Sequence, residues 1–334
     1  MAPFRDDLVP VELPDDPLAR FVVLHEALDA GRRFMGDRVP LRYAAITVLT
    51  TPGEPRALAE AIRAAHEELG RSFGWFTTVE SSVRMVLAAQ LVKYGDSPAA
   101  FVAELTRARA LLRQARLRRG GVYEVLAVLV LRRVLGGAPI QAEHVLRFGG
   151  IYQQLKRHHW LLTGPDDYPA CAMLVGQPGP PKQVGDEVEA IFQALRRDAK
   201  LWSGEPLQTA ASVLALSRLA PAEAAQRFVQ ISAGLQARGY RVRQRDYDEV
   251  AVLCFLATPV DKIVGSVLGY LDRIRESLRW VGKPMGLSLA TSLAFVRLVG
   301  DDARRGPLAD AKLLLDMQAI VAARQAAAGA AAAS

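Results

Sequence analysis

The stretch Tyr247-Asp-Glu-Val-Ala recurs along the chain in altered form and decides the fold. Clear copies, each with a large side chain four residues before an alanine, begin at Leu41, Tyr123, Tyr168 and Leu207. Weaker copies begin at Val79 and Gly286. The small or apolar anchors of the seven copies are Ala45, Val83, Ala127, Ala172, Ala211, Ala251 and Ala290. Their spacings are 38, 44, 45, 39, 40 and 39 residues, and a steady period of about 41 is typical of helical repeats.

A proline follows each anchor, well before the next copy begins, and precedes a stretch with helical periodicity. Proline fits the first turn of a helix, where its missing N–H would have no partner anyway. The prolines are Pro55, Pro98, Pro139, Pro181, Pro221, Pro259 and Pro307. Asp96-Ser97 and Thr258 directly precede two of these prolines, and their side-chain oxygens are suited to capping a helix.

Each unit is therefore predicted to form two helices. Helix A is apolar nearly all round, as in residues 125–131, 250–256 and 287–299. Helix B is amphipathic, because the apolar positions of residues 259–278 follow three/four spacing. A helix that is apolar on every side must be buried on every side, so the A helices are expected inside and the B helices outside. No alternating pattern predicts a strand.

The predicted fold class is all-α, with about seven helical hairpins of about 41 residues stacked as a strongly curved α-solenoid. Closure of the stack toward an α/α toroid is the alternative. Residues 1–15 are expected to be an extended segment, and residues 16–325 a single helical-repeat domain. That domain begins with a capping helix near Pro17 to Phe34 and ends with another near Leu308 to Ala328. Residues 326–334 are expected to be a disordered, Ala-rich tail.

Composition excludes several protein classes. The chain has 334 residues and 51% hydrophobic content, which excludes disorder over most of its length. Two cysteines, Cys171 and Cys254, exclude a disulfide scaffold and indicate reduced, buried thiols in a cytoplasmic protein. No apolar run reaches the roughly 18 residues of a membrane helix, and the acidic, Pro-rich N-terminus is unlike a signal peptide. No membrane partner is therefore expected.

One basic segment accounts for the net charge of +7. Residues 104–160 hold eleven Arg/Lys and three Glu, a net of +8, which leaves 31 basic and 32 acidic residues elsewhere. The candidate basic patch comprises Arg109, Arg113, Arg116, Arg118, Arg119, Arg132 and Arg133. The first three share a stripe by i, i+4, i+7 spacing. A solvated surface is the simplest interpretation, and the alternatives are an acidic protein or a nucleic-acid backbone as partner.

A second cluster of arginines lies at a later loop between units. It consists of Arg238, Arg241, Arg243 and Arg245.

The longest inter-unit loop, residues 158–169, carries the densest group of reactive side chains. The candidate binding residues are His158, His159, Trp160, Thr163, Asp166, Asp167 and Tyr168. Two histidines and two aspartates suggest a metal site, but the repeat register argues against one. Asp167 precedes Tyr168 as Asp246 precedes Tyr247, so both aspartates are predicted to be N-caps of A helices. We expect no metal, no cofactor and no catalytic residue here.

All four tryptophans lie between a B helix and the next A helix. They are Trp75, Trp160, Trp202 and Trp280, and Tyr240 holds a similar place in another unit. The simplest prediction is that these aromatic side chains are wedges that pack consecutive hairpins together. The alternative is an aromatic belt that binds a ligand at one edge of the stack.

At the same loop the sequence resembles a bacterial family of uncharacterised proteins, the domain-of-unknown-function family four-thousand-and-three. The resemblance rests on the run Trp-Leu-Leu-Thr-Gly-Pro-Asp-Asp-Tyr-Pro, which matches a Trp-Leu-Thr-x-x-Asp-Asp-Tyr-Pro-like signature within repeated helical pairs. The matching positions are Trp160, Leu162, Thr163, Asp166, Asp167, Tyr168 and Pro169. Leu161 is one residue more than that pattern has. The resemblance extends over about residues 20–320 and implies no activity.

Three functions are compatible with these observations. The first, which we favour, is a non-catalytic helical-repeat scaffold that binds a protein or peptide. The second is a ring-shaped α-hairpin enzyme acting on a small or lipid-like substrate, which would need acidic or histidine side chains that the A helices scarcely supply. The third is nucleic-acid backbone binding through residues 104–160, without a known recognition motif.

Overall fold

A computed structural model describes residues 13–30, 38–73, 79–198, 200–278 and 283–300. These residues form fourteen α-helices and two 3₁₀ turns, Pro165–Asp167 and Gln244–Asp246, and no strand, so the all-α prediction is confirmed. The A helices are α2 (Val39–Thr47), α4 (Ser81–Lys93), α6 (Val122–Val134), α8 (Tyr168–Leu174), α10 (Glu205–Ala215), α12 (Tyr247–Leu253) and α14 (Lys283–Gly300). Helix α1 (Pro17–Ala30) lies in the segment predicted as the N-terminal capping helix and is grouped with the B helices because it directly precedes an A helix. The other B helices are α3 (Pro55–Ser72), α5 (Pro98–Gln114), α7 (Ala142–His158), α9 (Pro181–Asp198), α11 (Pro221–Ala237) and α13 (Val260–Ser277).

Several predictions concern residues outside the described ranges. These are the segment before residue 13, Pro307, the terminal helix near Leu308 and the Ala-rich tail.

Proline positions in the B helices follow the sequence pattern. Four B helices begin at the predicted prolines Pro55, Pro98, Pro181 and Pro221. Pro259 directly precedes α13, whereas Pro139 lies three residues before α7 begins. The predicted cap of α5 is confirmed, because Ser97 Oγ accepts a hydrogen bond from the Ala100 N–H at 3.1 Å.

The repeat anchors lie at the centre of the core. Each of the seven anchors lies in a different A helix and is at most 1% exposed. Helix α6 is buried without interruption from Glu124 to Leu131, as expected for a helix that is apolar nearly all round. The period therefore marks the buried face of every second helix.

The chain divides into two compact units, whose boundary falls between Arg109 and Ala110 within α5. In the first unit, α1 packs on α2 and α3, and α4 packs on both α2 and α3. In the second unit, the A helices α6, α8, α10, α12 and α14 pack in chain order as one layer. The B helices α7, α9, α11 and α13 pack in chain order as the other layer. No described helix combines the length and the apolar character needed to cross a membrane.

An arginine on one B helix ties down the end of the next A helix. Arg227 of α11 donates from Nε to the Cys254 carbonyl at 2.9 Å and from Nη2 to the Thr258 carbonyl at 2.8 Å. The same Nη2 also contacts the Leu256 carbonyl. The carbonyl oxygens at the end of a helix have no partner within the helix, and a guanidinium can satisfy several at once.

The same clamp occurs twice more. Arg147 of α7 donates to the carbonyls of Val175, Gln177 and Gly179, and Arg20 of α1 donates to those of Leu49, Thr51 and Gly53. In every case the carbonyls belong to residues i, i+2 and i+4 of the turn that follows an A helix. We call Arg20, Arg147 and Arg227 the clamp arginines. They connect a B helix to the A helix that comes after it.

The basic stripe predicted on α5 does not extend to Arg116. Helix α5 ends at Gln114, and Arg116 has a left-handed backbone with φ of 55°. Its neighbour Leu117 donates to the Leu112 carbonyl at 3.0 Å, the hydrogen bond of a Schellman ending. Gly239 holds the same position after α11, with φ of 89°. Arg116 is thus a non-glycine residue at a position where glycine has no steric cost.

Arg116→Gly is expected to raise the free energy of unfolding by about 1 kcal/mol, because it removes the steric cost of a side chain in the left-handed region. Urea unfolding measures the gain. Arg119→Gly is the matched control in the same loop and is expected to give no gain. A loss of stability in Arg116→Gly would contradict the left-handed backbone conformation of this residue.

Burial raises the pKa of Asp248, in the first turn of α12, to about 6. The folded chain therefore favours the protonated carboxyl. The stability that the protonated carboxyl contributes is fully present below the unfolded pKa near 4 and is lost as the pH rises through 6. Asp248→Asn mimics the protonated form, so it is expected to stabilise the protein at pH 7 by about 1–2 kcal/mol and to change little at pH 4. Unfolding of both proteins across pH 4–7 measures the difference, and a constant difference would contradict the pKa assignment.

Candidate functional site

The loop after α7 exposes two large apolar side chains to solvent. Trp160 is 70% exposed and Leu161 is 76% exposed. The backbone beneath them is closed by hydrogen bonds from the Leu162 and Thr163 N–H groups to the His159 carbonyl, at 3.0 and 2.9 Å. The loop therefore presents these two side chains from an ordered turn.

Two histidines attach the end of α7 to α9. The His159 Nε2 lies 2.6 Å from Glu189 Oε2, and the His159 ring packs against Phe192 with centroids 4.2 Å apart. The His158 Nε2 lies 3.4 Å from Asp186 Oδ1. The Lys182 ammonium hydrogen-bonds Asp186 and, together with His158, holds the pKa of that carboxyl below its usual value. Both histidine side chains thus lie within 3.4 Å of carboxylates one turn apart on α9.

Three of the predicted loop residues are buried and serve the fold, namely Thr163, Asp167 and Tyr168. The buried Thr163 hydroxyl accepts a hydrogen bond from Gln208 Nε2 of α10 at 3.2 Å. Tyr168 is fully buried, and its hydroxyl donates to the Arg118 carbonyl at 3.0 Å. Burial raises the pKa of Tyr168 to about 12, so this donor stays protonated. The Tyr168 ring also packs edge-on against two aromatic rings of α7, those of Phe148 and Tyr152.

The prediction that Asp167 and Asp246 cap the A helices is wrong, because both side chains bond to the turn before the helix. Neither side chain caps the helix that follows it. Asp167 Oδ2 instead accepts from the Gly164 N–H at 3.0 Å, and Asp246 Oδ2 accepts from the Arg243 N–H at 2.8 Å. A 3₁₀ turn lies between each loop and the following A helix. The aspartate that ends this turn accepts a hydrogen bond from the backbone N–H of the residue just before the turn.

The Asp-Tyr pair is an element of the repeat, not a feature of one loop. Tyr247 is buried at the start of α12 and packs edge-on against Phe228 of α11, with centroids 5.8 Å apart. Tyr168 packs on Phe148 of α7 in the same way. The residues specific to the loop after α7 are therefore the histidines and the exposed pair. Asp166, between them and Asp167, is half-buried.

The prediction that the tryptophans are wedges between hairpins is wrong for both that the structure describes. Trp160 and Trp202 are 70% and 77% exposed. The buried aromatic contacts between a B helix and the next A helix are made instead by Phe148 with Tyr168 and by Phe228 with Tyr247. Trp75 and Trp280 lie outside the described residues. The sequence placed Trp160 and Trp202 in loops correctly, but their exposure depends on tertiary packing that no local pattern contains.

The loops after α7, α9 and α11 lie along one edge of the second unit. Each leads into the next A helix, and α8, α10 and α12 pack in that order. The Thr163–Gln208 hydrogen bond joins the first loop to the start of α10, and the 3₁₀ turn Gln244–Asp246 of the third loop also packs on α10. We call residues 156–164, 196–198, 200–204 and 238–246 the loop edge. It carries Trp160, Leu161 and Trp202.

The charges of the loop edge are unequally paired. Its two carboxylates are engaged, because Asp198 pairs with Arg197 at 2.8 Å and Asp246 lies 3.7 Å from the Arg245 guanidinium. Within the described part of the chain, five exposed cations of this edge form no ion pair. They are Arg157, Arg196, Lys200, Arg241 and Arg243. The unpaired charge of the edge is therefore positive.

The predicted basic patch is divided by the structure. Arg118 and Arg119 are exposed before α6, whereas Arg132 and Arg133 are half-buried in its last turn, about 15 Å further along the helix axis. Arg113 forms an ion pair with the buried Glu124, which also accepts from the Gly120 N–H at 3.2 Å. Arg109 belongs to the first compact unit. Arg116, Arg118 and Arg119 remain together as an exposed loop.

Neither cysteine lies at the loop edge. Cys171 of α8 and Cys254 at the end of α12 are buried, unpaired thiols. Burial raises the pKa of both thiols, so they stay protonated and are poor nucleophiles. Their role is therefore to pack in the core. Among the described residues, no group of three or more His, Cys, Asp or Glu side chains is placed to hold a metal ion.

Comparison with known proteins places the chain in a family. The protein family described as "Protein of unknown function (DUF4003)" matches residues 44–326. The "Uncharacterized protein YeaA" of Bacillus subtilis (strain 168) is 26% identical over 211 residues, which cover 63% of this chain and 62% of that protein. The chain thus aligns with less than two thirds of that relative's length. No solved structure matches. Since the family match spans most of the chain, this protein belongs to the DUF4003 family.

Proposed function

We propose that this chain is a non-catalytic helical-repeat scaffold that binds a protein or peptide at the loop edge. The observation that carries the proposal is the exposure of Trp160, Leu161 and Trp202 on two neighbouring loops. Isolated exposed apolar residues are common, but three on successive loops of one edge, two of them tryptophans, are typical of interaction sites. Tryptophan is also among the residues that contribute most binding energy at protein interfaces.

The cluster is held in place before any partner arrives. His159 contacts Glu189 and Phe192, and Thr163 is bonded to Gln208, so the turn beneath Trp160 is attached to both α9 and α10. A surface that is ordered in the free protein loses less conformational entropy on binding. This arrangement supports a preformed binding surface.

Binding is favoured over catalysis because the polar residues of the loop have structural partners. Thr163, Asp167 and Tyr168 are each buried and hydrogen-bonded within the fold. Nucleic-acid binding through residues 104–160 is less well supported, because Arg118 and Arg132 lie toward opposite ends of α6.

The proposal also includes a strongly curved solenoid of about seven hairpins and a cytoplasmic location. Seven buried anchors and two buried thiols support these two points.

Site-specific crosslinking tests the proposal. A photoreactive p-benzoylphenylalanine at exposed Ser203, next to Trp202, is irradiated in a lysate of the source cells, and adducts are identified by mass spectrometry. We expect one discrete adduct that disappears when Trp160, Leu161 and Trp202 are replaced by serine. The control background carries Leu146→Ser, which removes an apolar residue that is 65% exposed on α7 outside the loop edge. An adduct that survives the triple replacement would count against the proposal.

A further inference from the structure

We propose that the occupant of the loop edge is an acidic peptide segment with apolar residues at one end. This inference rests on the proposed binding function and names the chemistry of its partner. The apolar residues of the segment would cover Trp160, Leu161 and Trp202, and its carboxylates would face the cations of the three loops.

Charge complementarity carries the first step. Arg157 lies three residues before Trp160, Lys200 lies two residues before Trp202, and both side chains are exposed. Arg196 is exposed in the last turn of α9, and none of these three cations pairs with a carboxylate of the described residues. The helix dipole favours basic residues at helix C-termini. It does not account for the exposed apolar side chains that lie near these residues. A partner with carboxylates beside apolar side chains satisfies both features of the surface.

The third loop gives the segment a direction. Arg241 and Arg243 are exposed after α11, and this loop lacks an exposed large apolar side chain. Apolar contacts are therefore concentrated at the first two loops, and the third loop offers charge alone. Packed helices stand about 10 Å apart, so three successive loops span about 20 Å. An extended chain covers that distance with about six residues.

The same features favour a peptide over a single-stranded nucleic acid. Tryptophan rings and arginines can also bind bases and phosphates. However, Leu161 is aliphatic and offers no stacking surface, although it is as exposed as the two tryptophans. Along the chain, Asp166, Asp198 and Glu205 are interspersed with the cations, and such a mixed pattern suits a continuous phosphate backbone poorly. A peptide can place its charges at intervals that avoid them.

Selection from a random 12-residue peptide library displayed on phage tests the inference with the full chain immobilised. The expected result is enrichment of peptides with two or more large apolar residues and an excess of Asp and Glu. A variant with Arg157→Glu, Arg196→Glu and Lys200→Glu should select peptides with excess Lys and Arg. It should also bind the original peptides at least about 10-fold more weakly. Unfolding midpoints within 2 °C of wild type would show that the variants are folded.

The other outcomes separate the two proposals. Enrichment of apolar peptides without an acidic excess would overturn this inference and leave the binding function standing. Enrichment no greater than on the triple-serine variant of Trp160, Leu161 and Trp202 would overturn the proposed function itself. Binding of a 12-nucleotide oligouridylate that is lost in both variants would overturn the inference in favour of nucleic acid.

Discussion

Tyr168→Ala is expected to lower the free energy of unfolding by about 4 kcal/mol, the largest effect of any single substitution considered. The ring is fully buried and packs edge-on against Phe148 and Tyr152, at centroid distances of 5.3 and 5.2 Å. Its hydroxyl also donates to the Arg118 carbonyl and so joins the loop before α6 to α8. Tyr168→Phe keeps the ring and loses only the hydrogen bond, so we expect it to cost about 1 kcal/mol.

Gly120 gives a second, independent test of the same contact. A Cβ at Gly120 would lie 2.9 Å from the Tyr168 ring, so Gly120→Ala should cost about 1–3 kcal/mol in the wild type. The cost should fall sharply in the Tyr168→Ala background, because the clash is then absent. Gly269→Ala is the matched control, since a Cβ there meets nothing within 4 Å and alanine favours the helix. Equal costs of Gly120→Ala in both backgrounds, measured by urea unfolding, would contradict the contact.

Arg227→Met is expected to lower the free energy of unfolding by about 3 kcal/mol, because it leaves the carbonyls at the end of α12 without their charged donor. Methionine keeps most of the apolar length of the side chain, so the loss is assigned to the hydrogen bonds. Arg227→Lys should restore only part of the stability, since an ammonium lacks the planar fork that reaches three carbonyls.

Two comparisons make this prediction specific to the clamp. Arg238→Met removes an exposed arginine whose contact with Asp261 is 3.9 Å long, so it should cost less than about 1 kcal/mol. Arg147→Met removes the equivalent clamp of α8 and should cost about as much as Arg227→Met. If chemical denaturation showed Arg227→Met to be no more destabilising than Arg238→Met, the clamp would not be a stabilising element.

The repeat was predictable because local residue types mark its buried positions and its helix starts. Ala172 and Ala251 mark the tight, buried positions of A helices, and Pro181 and Pro221 mark the first turns of B helices. These signals depend on residue size and backbone geometry, which a sequence shows directly.

The clamp arginines were missed, although the sequence contains a signal for them. Arg147 precedes Arg227 by close to two repeat periods, and Arg20 precedes Arg147 by close to three. A search for polar residues that keep the register of the repeat would therefore have found all three.

The candidate site could be predicted only in part. The sequence indicated the loop after α7, but it could not separate Thr163, Asp167 and Tyr168, which are buried, from Trp160, which is exposed. Burial depends on what packs against a residue from distant parts of the chain. Gln208, the partner of Thr163, is 45 residues away, and Trp202 comes from the next loop. The loop edge therefore emerges only when three repeats are assembled side by side.

The central claim is that Trp160, Leu161 and Trp202 form the binding surface. The most direct test is isothermal titration of the partner captured at Ser203 into the wild type and into the triple-serine variant, with equal unfolding midpoints verified first. We predict at least about 100-fold weaker binding by the variant, since each buried anchor of this size contributes about 1–2 kcal/mol. Affinities within 3-fold of each other would contradict the account.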